Sequence, residues 1–344
     1  MIQMSNPGNQ CTLEEKKLYA RMMEVFARVL EHTDYHIGHL FQFLKDIGEF
    51  ENTLIMLISD NGASSEGGPT GSLNEMRFFN NVSESVEDNR VALDKLGGPE
   101  TFNHYAWGWT WAGNTSFRRW KRETYRGSVS DPFIVHWPKG IKEKGEIRTQ
   151  YAPAIDMVPT VLECLGIEPP TIIKGVTQSP IEGVSFARTF NDSNAPTKHH
   201  IQYFEMMGHR SLYNNGWRAV CPWPGPSFTE AGKPFGESIT ADMLTEMDAK
   251  GWELYHVEKD WAENYNVAAE NRSKLIEMIT IWYAEAGKYN VLPIDGRGIL
   301  RLADGRLDIA IKRTHYTYYP GTQRISTNAA VKVLNRSAQY HNRC

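Results

Sequence analysis

The sequence predicts an α/β fold, and three observations predict it. An apolar run from Thr53 to Ser59 stops abruptly at Asp60-Asn61-Gly62. A long amphipathic pattern precedes that run, and a second apolar stretch, Pro132-Phe-Ile-Val-His-Trp-Pro138, follows it. A strand that is apolar at nearly every position suits burial on both faces, as in a parallel sheet. Helix then strand with a short link is half of a βαβ unit.

The elements follow from local signals. Residues 1–11 read as an irregular lead-in. Thr12-Leu-Glu-Glu15 is a capping box, in which Thr12 accepts from a backbone N–H and Glu15 reaches back. Leu18, Met22, Val25, Val29, Thr33, Ile37, Leu40 and Leu44 then recur at steps of three and four, the core stripe of one long helix that Gly48 ends. Residues 63–116 are rich in Gly, Asn and Ser, with a short polar helix expected around Ser83 to Leu96. Long insertions after such strands are where α/β enzymes build substrate pockets. Asp156 to Gly166 reads as a capped helix ending in glycine, with Asp156 as its N-cap. A Pro/Gly/Asn-rich linker spans 167–200. Antiparallel strands are expected around Tyr203-Phe204-Glu205 and Ser211–Val220, with Asn215-Gly216 as a type I′ turn. Gly251–Val257 reads as another strand and 267–286 as a final amphipathic helix. These boundaries suggest an α/β domain over 1–200, an α+β subdomain over 201–290 and a β-type or irregular tail over 291–344.

Bulk properties narrow the function. The chain has 344 residues, 41% hydrophobic and 23% charged, as a folded globular protein does. Its formal net charge of -4 lacks the basic excess of a nucleic-acid binder. The four cysteines are far apart and follow no CxxC spacing, so neither a zinc framework nor a disulfide scaffold is expected. No stretch approaches the roughly 18 apolar residues that span a bilayer. The N-terminus lacks the basic-then-apolar pattern of a signal peptide, which leaves cytoplasm and periplasm both open.

Several groups could carry chemistry. Asp60 and Asn61 stand at the carboxyl end of the first strand, where open α/β sheets bind ligands. A carboxylate beside an amide carbonyl offers hard oxygens that suit Ca²⁺ or Mg²⁺, although Asp-Asn-Gly is also a common turn. A hard cation takes about six oxygens, so further ligands must come from elsewhere. The run Arg118-Arg119-Trp120-Lys121-Arg122, with Arg126, reads for most of its residues as a solvated basic face. One lysine turned inward beside a metal would instead supply a point charge for a phosphate or sulfate ester. His32, His36 and His39 share one helix, and the i, i+4 spacing of His32 and His36 can hold zinc. No further ligand cluster accompanies them, which favours solvent-facing or core-edge histidines. His104 lies among Tyr105, Trp107, Trp109 and Trp111, either in an aromatic-walled pocket that could receive an aryl group or in a packed aromatic core.

Taken in order, these segments resemble a type I sulfatase. The resemblance rests on Ile58-Ser-Asp-Asn-Gly62, Phe117-Arg-Arg-Trp-Lys-Arg-Glu-Thr-Tyr-Arg-Gly127 and Pro132–Pro138, then Asp156-Met-Val-Pro-Thr160. Arg210–Arg218, Trp252-Glu-Leu-Tyr255 and Ala268-Ala-Glu-Asn271 extend it, so that it covers about 12 to 290 and looks closest to bacterial arylsulfatases. It implies an alkaline-phosphatase-like sheet sandwiched by helices, incomplete here, with a smaller C-terminal antiparallel sheet and helix. It implies that Asp60 and Asn61 bind a divalent cation, commonly Ca²⁺ in bacterial members, that Lys121 contacts the sulfate group, and that the partner is a small-molecule sulfate ester. His104 is carried forward as a candidate substrate-binding residue. The chain departs from the family at Ser128, where a second glycine is usual, and at Trp261, where proline is common.

The larger departure concerns the nucleophile. Sulfatases use a formylglycine made from the first residue of Cys/Ser-x-Pro/Ala-x-Arg, and no cysteine or serine in this chain has that context. The family's paired N-terminal aspartates and upstream Lys and His are missing too. The expectation is therefore a polypeptide that starts partway through the catalytic domain and ends early, inactive or nearly so on aryl sulfates alone. A sheet lacking its first strands would leave an apolar edge unpaired, an aggregation hazard. A phosphonate or phosphodiester hydrolase of the same superfamily and a non-catalytic binder of sulfated ligands are the alternatives.

Overall fold

The computed structural model describes residues 11–75, 77, 84–223, 241–292 and 294. The first helix, α1 (Leu13–Asp46), begins where the capping box places it: Glu15 N–H donates to Thr12 Oγ1 at 3.2 Å and Thr12 N–H to Glu15 Oε2 at 2.8 Å. Gly48, at φ +76°, follows its end in the left-handed region. The expected core stripe holds only in the first half. Leu18 and Met22 are fully buried against Leu96 and Tyr105, whereas Val29 and Leu40 are 58% and 55% exposed. The physical reason is that the helix crosses the 93–109 segment only through its N-terminal turns.

Strand β1 (Ile55–Ile58) pairs with β2 (Phe133–His136), and the pairing is antiparallel, Ile55 opposite His136 and Ile58 opposite Phe133. This corrects the expectation of a parallel, doubly buried strand, since Leu57 and Ile58 are 46% and 39% exposed. The chain that leaves β1 returns to the same end of it. Ser59 N–H donates to Pro132 O and Gly62 N–H to Ser128 O, so β2 starts beside the end of β1 and must run back.

Among the described residues, the insertion between these strands is held by side chains and by a short backbone pairing of 72–75 with 102–104. After α2 (Val86–Val91), the aromatic segment forms α3 (Trp107–Asn114). Trp107 Nε1–H donates to Ser65 O and Trp109 Nε1–H to Tyr19 O, both at 2.8 Å. Asn114 is the hub: its Oδ1 accepts from Ala63 N–H at 3.2 Å, and its Nδ2 donates to Arg119 O and Gly127 O at 2.6 Å each. The short helix α4 (Arg126–Val129) follows. Gly62 and Gly127 allow this convergence. A Cβ on Gly62 would lie 1.7 Å from Gly127 O, and one on Gly127 would lie 2.2 Å from Arg119 O.

Helix α5 (Met157–Leu165) ends, as expected, at a left-handed Gly166, φ +65°. Its start differs from expectation. Asp156 occupies the N-cap position in a helical conformation and makes no capping bond. Its buried carboxylate instead accepts from Val184 N–H at 2.7 Å and faces His199 Nδ1 at 2.8 Å. Tertiary partners from the linker therefore take the place of the cap. Beyond a small hairpin of β3 (Ile172–Ile173) and β4 (Val176–Thr177), the chain forms a four-stranded antiparallel sheet in the order β5 (Ile201–Met206), β6 (His209–Asn214), β7 (Trp217–Cys221), β8 (Glu253–His256). Asn215 and Gly216 carry φ of +48° and +80°, the two positive values a type I′ turn needs. After α6 (Ala241–Lys250), α7 (Arg272–Lys288) packs Leu275, Met278 and Trp282 on Leu212, Ala219 and Leu254 to form the largest core cluster. The expected tail from 295 onward lies outside the described residues.

Two predictions follow from this packing. Burial opposes a charged His199, but the hydrogen bond and charge of Asp156 more than offset it and raise its pKa above 6.5. A raised folded value contributes stability that is complete below pH 6.5 and lost as pH rises through the folded pKa. Urea titrations of Asp156→Asn are expected to show a loss of about 1–3 kcal/mol at pH 6 and less of this pH dependence above it; an unaltered pH profile would sink the pairing. Gly62→Ala is expected to cost about 1–3 kcal/mol or more, because two backbones must separate. An unchanged urea midpoint would contradict the close approach of Gly62 to Gly127.

Candidate active site

The site assembles where β1 ends. Asp60 is exposed and makes no hydrogen bond to another described residue, and Asn61 is half-buried, its backbone carbonyl accepting from Ser59 Oγ at 2.9 Å. The arginine-rich loop approaches from the other side. Lys121 N–H donates to Ala63 O at 3.1 Å, so the lysine backbone is fastened one residue beyond Gly62. The lysine predicted from sequence is thus placed beside the Asp60-Asn61-Gly62 turn, through a 60-residue excursion of the chain.

The side chains form a short polar relay. Lys121 Nζ lies 3.3 Å from Glu66 Oε2, and Arg122 Nε lies 3.7 Å from Glu66 Oε1. Ser64 Oγ donates to Glu66, and His104 Nε2 lies 2.9 Å from Ser64 Oγ. Burial alone would raise the Glu66 pKa, but Ser64, Arg122 and Lys121 together hold it below 4.5. Arg122 is lowered by burial to about 10, which leaves it charged at neutral pH. His104 joins the site through Ser64. Among the aromatic residues beside it, Trp107 packs against Trp120 in a tilted pair at a centroid distance of 5.7 Å. An incoming anion would meet Lys121 already paired to a carboxylate, so binding it requires that Glu66 turn aside or that a cation take over its charge.

The expectation of a solvated basic face is overturned for most of the run. Arg118 donates to Tyr255 OH at 2.6 Å and to Glu263 O at 2.9 Å. Arg119 pairs with the buried Glu123 at 3.4 Å, and Arg126 N–H donates to Glu263 Oε2 at 2.8 Å. Tyr125 OH donates to Glu253 at 2.8 Å. The local Glu123 and the distant Glu253 and Glu263 turn this basic sequence into an internal seam. Burial raises the Glu123 pKa to about 6 despite its arginine neighbours, and burial followed by the charge of Arg218 lowers Arg126 to about 10.

Three residues join the site that sequence reasoning did not single out. Ser64 and Glu66 follow the turn directly, in a stretch read only as polar loop. Asp131 precedes β2, opposite the end of β1. Burial and then the charge of Asp60 raise its pKa to about 6, and its Oδ1 is buried with no hydrogen-bond partner. An unpartnered carboxylate oxygen within electrostatic reach of a second carboxylate fits a cation chemically, and the donors here are hard oxygens of the kind Ca²⁺ or Mg²⁺ takes. The described residues hold no cluster of three or more His, Cys, Asp or Glu, so the ligand set is partial among them. His32, His36 and His39 lie on the exposed side of α1 and do not join this site.

Comparison with known proteins finds sulfatases. The sulfatase family model matches residues 4–167, the part that contains β1, the lysine loop and β2. The chain is 27% identical over 277 residues to an uncharacterized sulfatase of Schizosaccharomyces pombe, covering 80% of this chain and 45% of that protein. It is 25% identical over 208 residues to an arylsulfatase of Klebsiella aerogenes, covering 60% of this chain and 42% of the relative. The chain thus spans less than half the length of these two relatives. Among solved structures, Ps i-CgsB aligns over 90% of this chain and 51% of its own with a TM-score of 0.48 and 18% identity. A protein solved with its substrate D-glucosamine-2-N,6-O-disulfate aligns over 76% of this chain and 40% of its own, with a TM-score of 0.44 and 18% identity. The segment that carries the Asp60-Asn61-Gly62 turn, the lysine loop and β2 is thus the segment over which the chain is similar to sulfatases.

Proposed function

We propose that this chain carries the metal-and-lysine half of a sulfuric ester hydrolase site acting on small sulfate monoesters, with an aryl sulfate as the working substrate. The observation that carries this reading is the hydrogen bond from Lys121 N–H to Ala63 O, which keeps a lysine beside the Asp60-Asn61-Gly62 turn. Asp60 and Asn61 would hold Ca²⁺ or Mg²⁺, with Asp131 close enough to feel the charge of Asp60. A bound divalent cation supplies charge that polarises sulfate oxygens. Formylglycine, where a sulfatase carries it, supplies the nucleophilic oxygen, and none of the 344 residues lies in its precursor motif.

The chain's own residues do the rest. Lys121 offers its ammonium to the sulfate oxygens and neutralises charge as the S–O bond to the leaving group breaks. Glu66 holds that ammonium until the anion arrives, and Ser64 and His104 fix Glu66 from behind. Arg122, charged and buried beside Glu66, keeps the carboxylate ionised while Lys121 is engaged elsewhere. The exit of β1 is rigid because Gly62 lies against Gly127, which favours a preorganised site.

Calorimetric titration of the chain with 4-nitrophenyl sulfate, with and without Ca²⁺, tests this. Binding is expected to require Ca²⁺ and to weaken about tenfold or more, ~1.4 kcal/mol, in Lys121→Ala. An aryl phosphodiester is expected to bind less well. Equal affinity in the variant, or binding indifferent to Ca²⁺, would refute the assignment. No nitrophenol should be released by this polypeptide alone; metal-dependent release would overturn the expectation that it is inactive by itself.

A further inference from the structure

We propose that His32 and His36, whose Nε2 atoms converge to 3.1 Å on the exposed face of α1, form a bidentate site for a late first-row divalent cation, with Cu²⁺ held most tightly. The two residues are one turn apart, and neighbours at i and i+4 lie on the same face. Both side chains are exposed, and their ring centroids are 4.4 Å apart. Metal–imidazole bonds of about 2.0–2.1 Å to two nitrogens at this spacing give a bite angle of about 100°. That value lies between the right angle of tetragonal sites and the wider tetrahedral one, so the pair can close on either geometry. Imidazole suits Cu, Ni and Zn over Ca or Mg, and the Irving–Williams order puts Cu²⁺ first.

The alternative occupant of the gap is a single proton, in an N–H···N hydrogen bond between two neutral rings. Cation binding replaces it. Both Nε2 lone pairs go to the metal, and the ring that had donated through Nε2–H takes its Nδ1–H tautomer, so neutral rings lose no proton. The surroundings leave room for this exchange. Glu31 is engaged by Arg28, and His39 leans on Tyr35 at a centroid distance of 4.3 Å, further from His36 at 5.8 Å. The remaining coordination positions face solvent. The site shares no residue with Asp60, Asn61 or Lys121 and differs from them in donor type, nitrogen against hard oxygen.

The test is titration of the whole chain with Cu²⁺, its accessible thiols first blocked with iodoacetamide, followed by calorimetry and by electron paramagnetic resonance. A site with two-nitrogen hyperfine structure is expected, along with a rise in Tm on Cu²⁺ addition, because the ion clamps one turn of α1. His32→Gln and His36→Gln should each weaken binding about tenfold or more, since disturbing even an outer-shell partner costs about 10–100-fold. Both substitutions lie at exposed positions, so folding is expected to be retained. The double variant Asp34→His/His36→Gln keeps the histidine count but puts the rings two residues apart, where they do not face each other; it should bind as weakly as His36→Gln. Asp60→Asn should leave Cu²⁺ affinity at this site unchanged. Relocated and native histidines binding Cu²⁺ equally well, or a one-nitrogen spectrum, would overturn the proposal.

Discussion

The carboxylate of Glu263 is the interaction on which the candidate site depends. It is completely buried, and a buried charge is tolerated only when paired and hydrogen-bonded. Glu263 meets both conditions by reaching into the arginine loop. Its Oε2 takes the Arg126 N–H at 2.8 Å, its Oε1 faces Arg218 Nε at 3.3 Å, and its backbone carbonyl accepts from Arg118. Arg218 also donates to Thr124 O at 2.5 Å. One acid from the segment after β8 thus fixes both ends of the loop that carries Lys121. Removing a partner from such a group costs about 3–5 kcal/mol, far more than an exposed pair is worth.

This seam explains why the C-terminal sheet matters to a site made wholly from earlier residues. The sheet has its own core around Leu212, Leu254 and Trp282 and stands on that packing. The loop from Phe117 to Gly127 has almost no regular structure of its own before α4 and borrows rigidity from the sheet. Arg119 and Arg122 carry positive φ, 62° and 81°, and pair with Glu123 and Glu66 respectively. Sequence, loop shape and chemistry are linked through the arginines: Arg118, Arg119 and Arg126 are structural, and Arg122 stands with Lys121 on Glu66.

Much of the fold was legible because its signals are local. The Thr12–Glu15 box, the Asn215-Gly216 turn and the left-handed Gly166 each act within a few residues, and each forms as read. The position of Lys121 beside Asp60-Asn61 was also legible, through motif order. The burial of Arg118, Arg119 and Arg126 was not, because their acids, Glu123 apart, lie more than a hundred residues on, and nothing local distinguishes a paired arginine from a solvated one. Asp156 misled for the same reason: a good capping residue found better partners in Val184 and His199. The parallel strand was misread because an apolar run reports burial tendency, not strand direction, and direction here is set by where the chain re-enters at Pro132.

The most direct test of this dependence is native-state hydrogen exchange at the Lys121 amide, which donates to Ala63 O. If Glu263 holds the loop against the β1 exit, Glu263→Gln should speed exchange at that amide by about tenfold or more, ~1.4 kcal/mol of lost protection. Protection of Leu212 and Leu254 in the sheet core should change less. Unchanged protection at Lys121 in that variant would contradict the account.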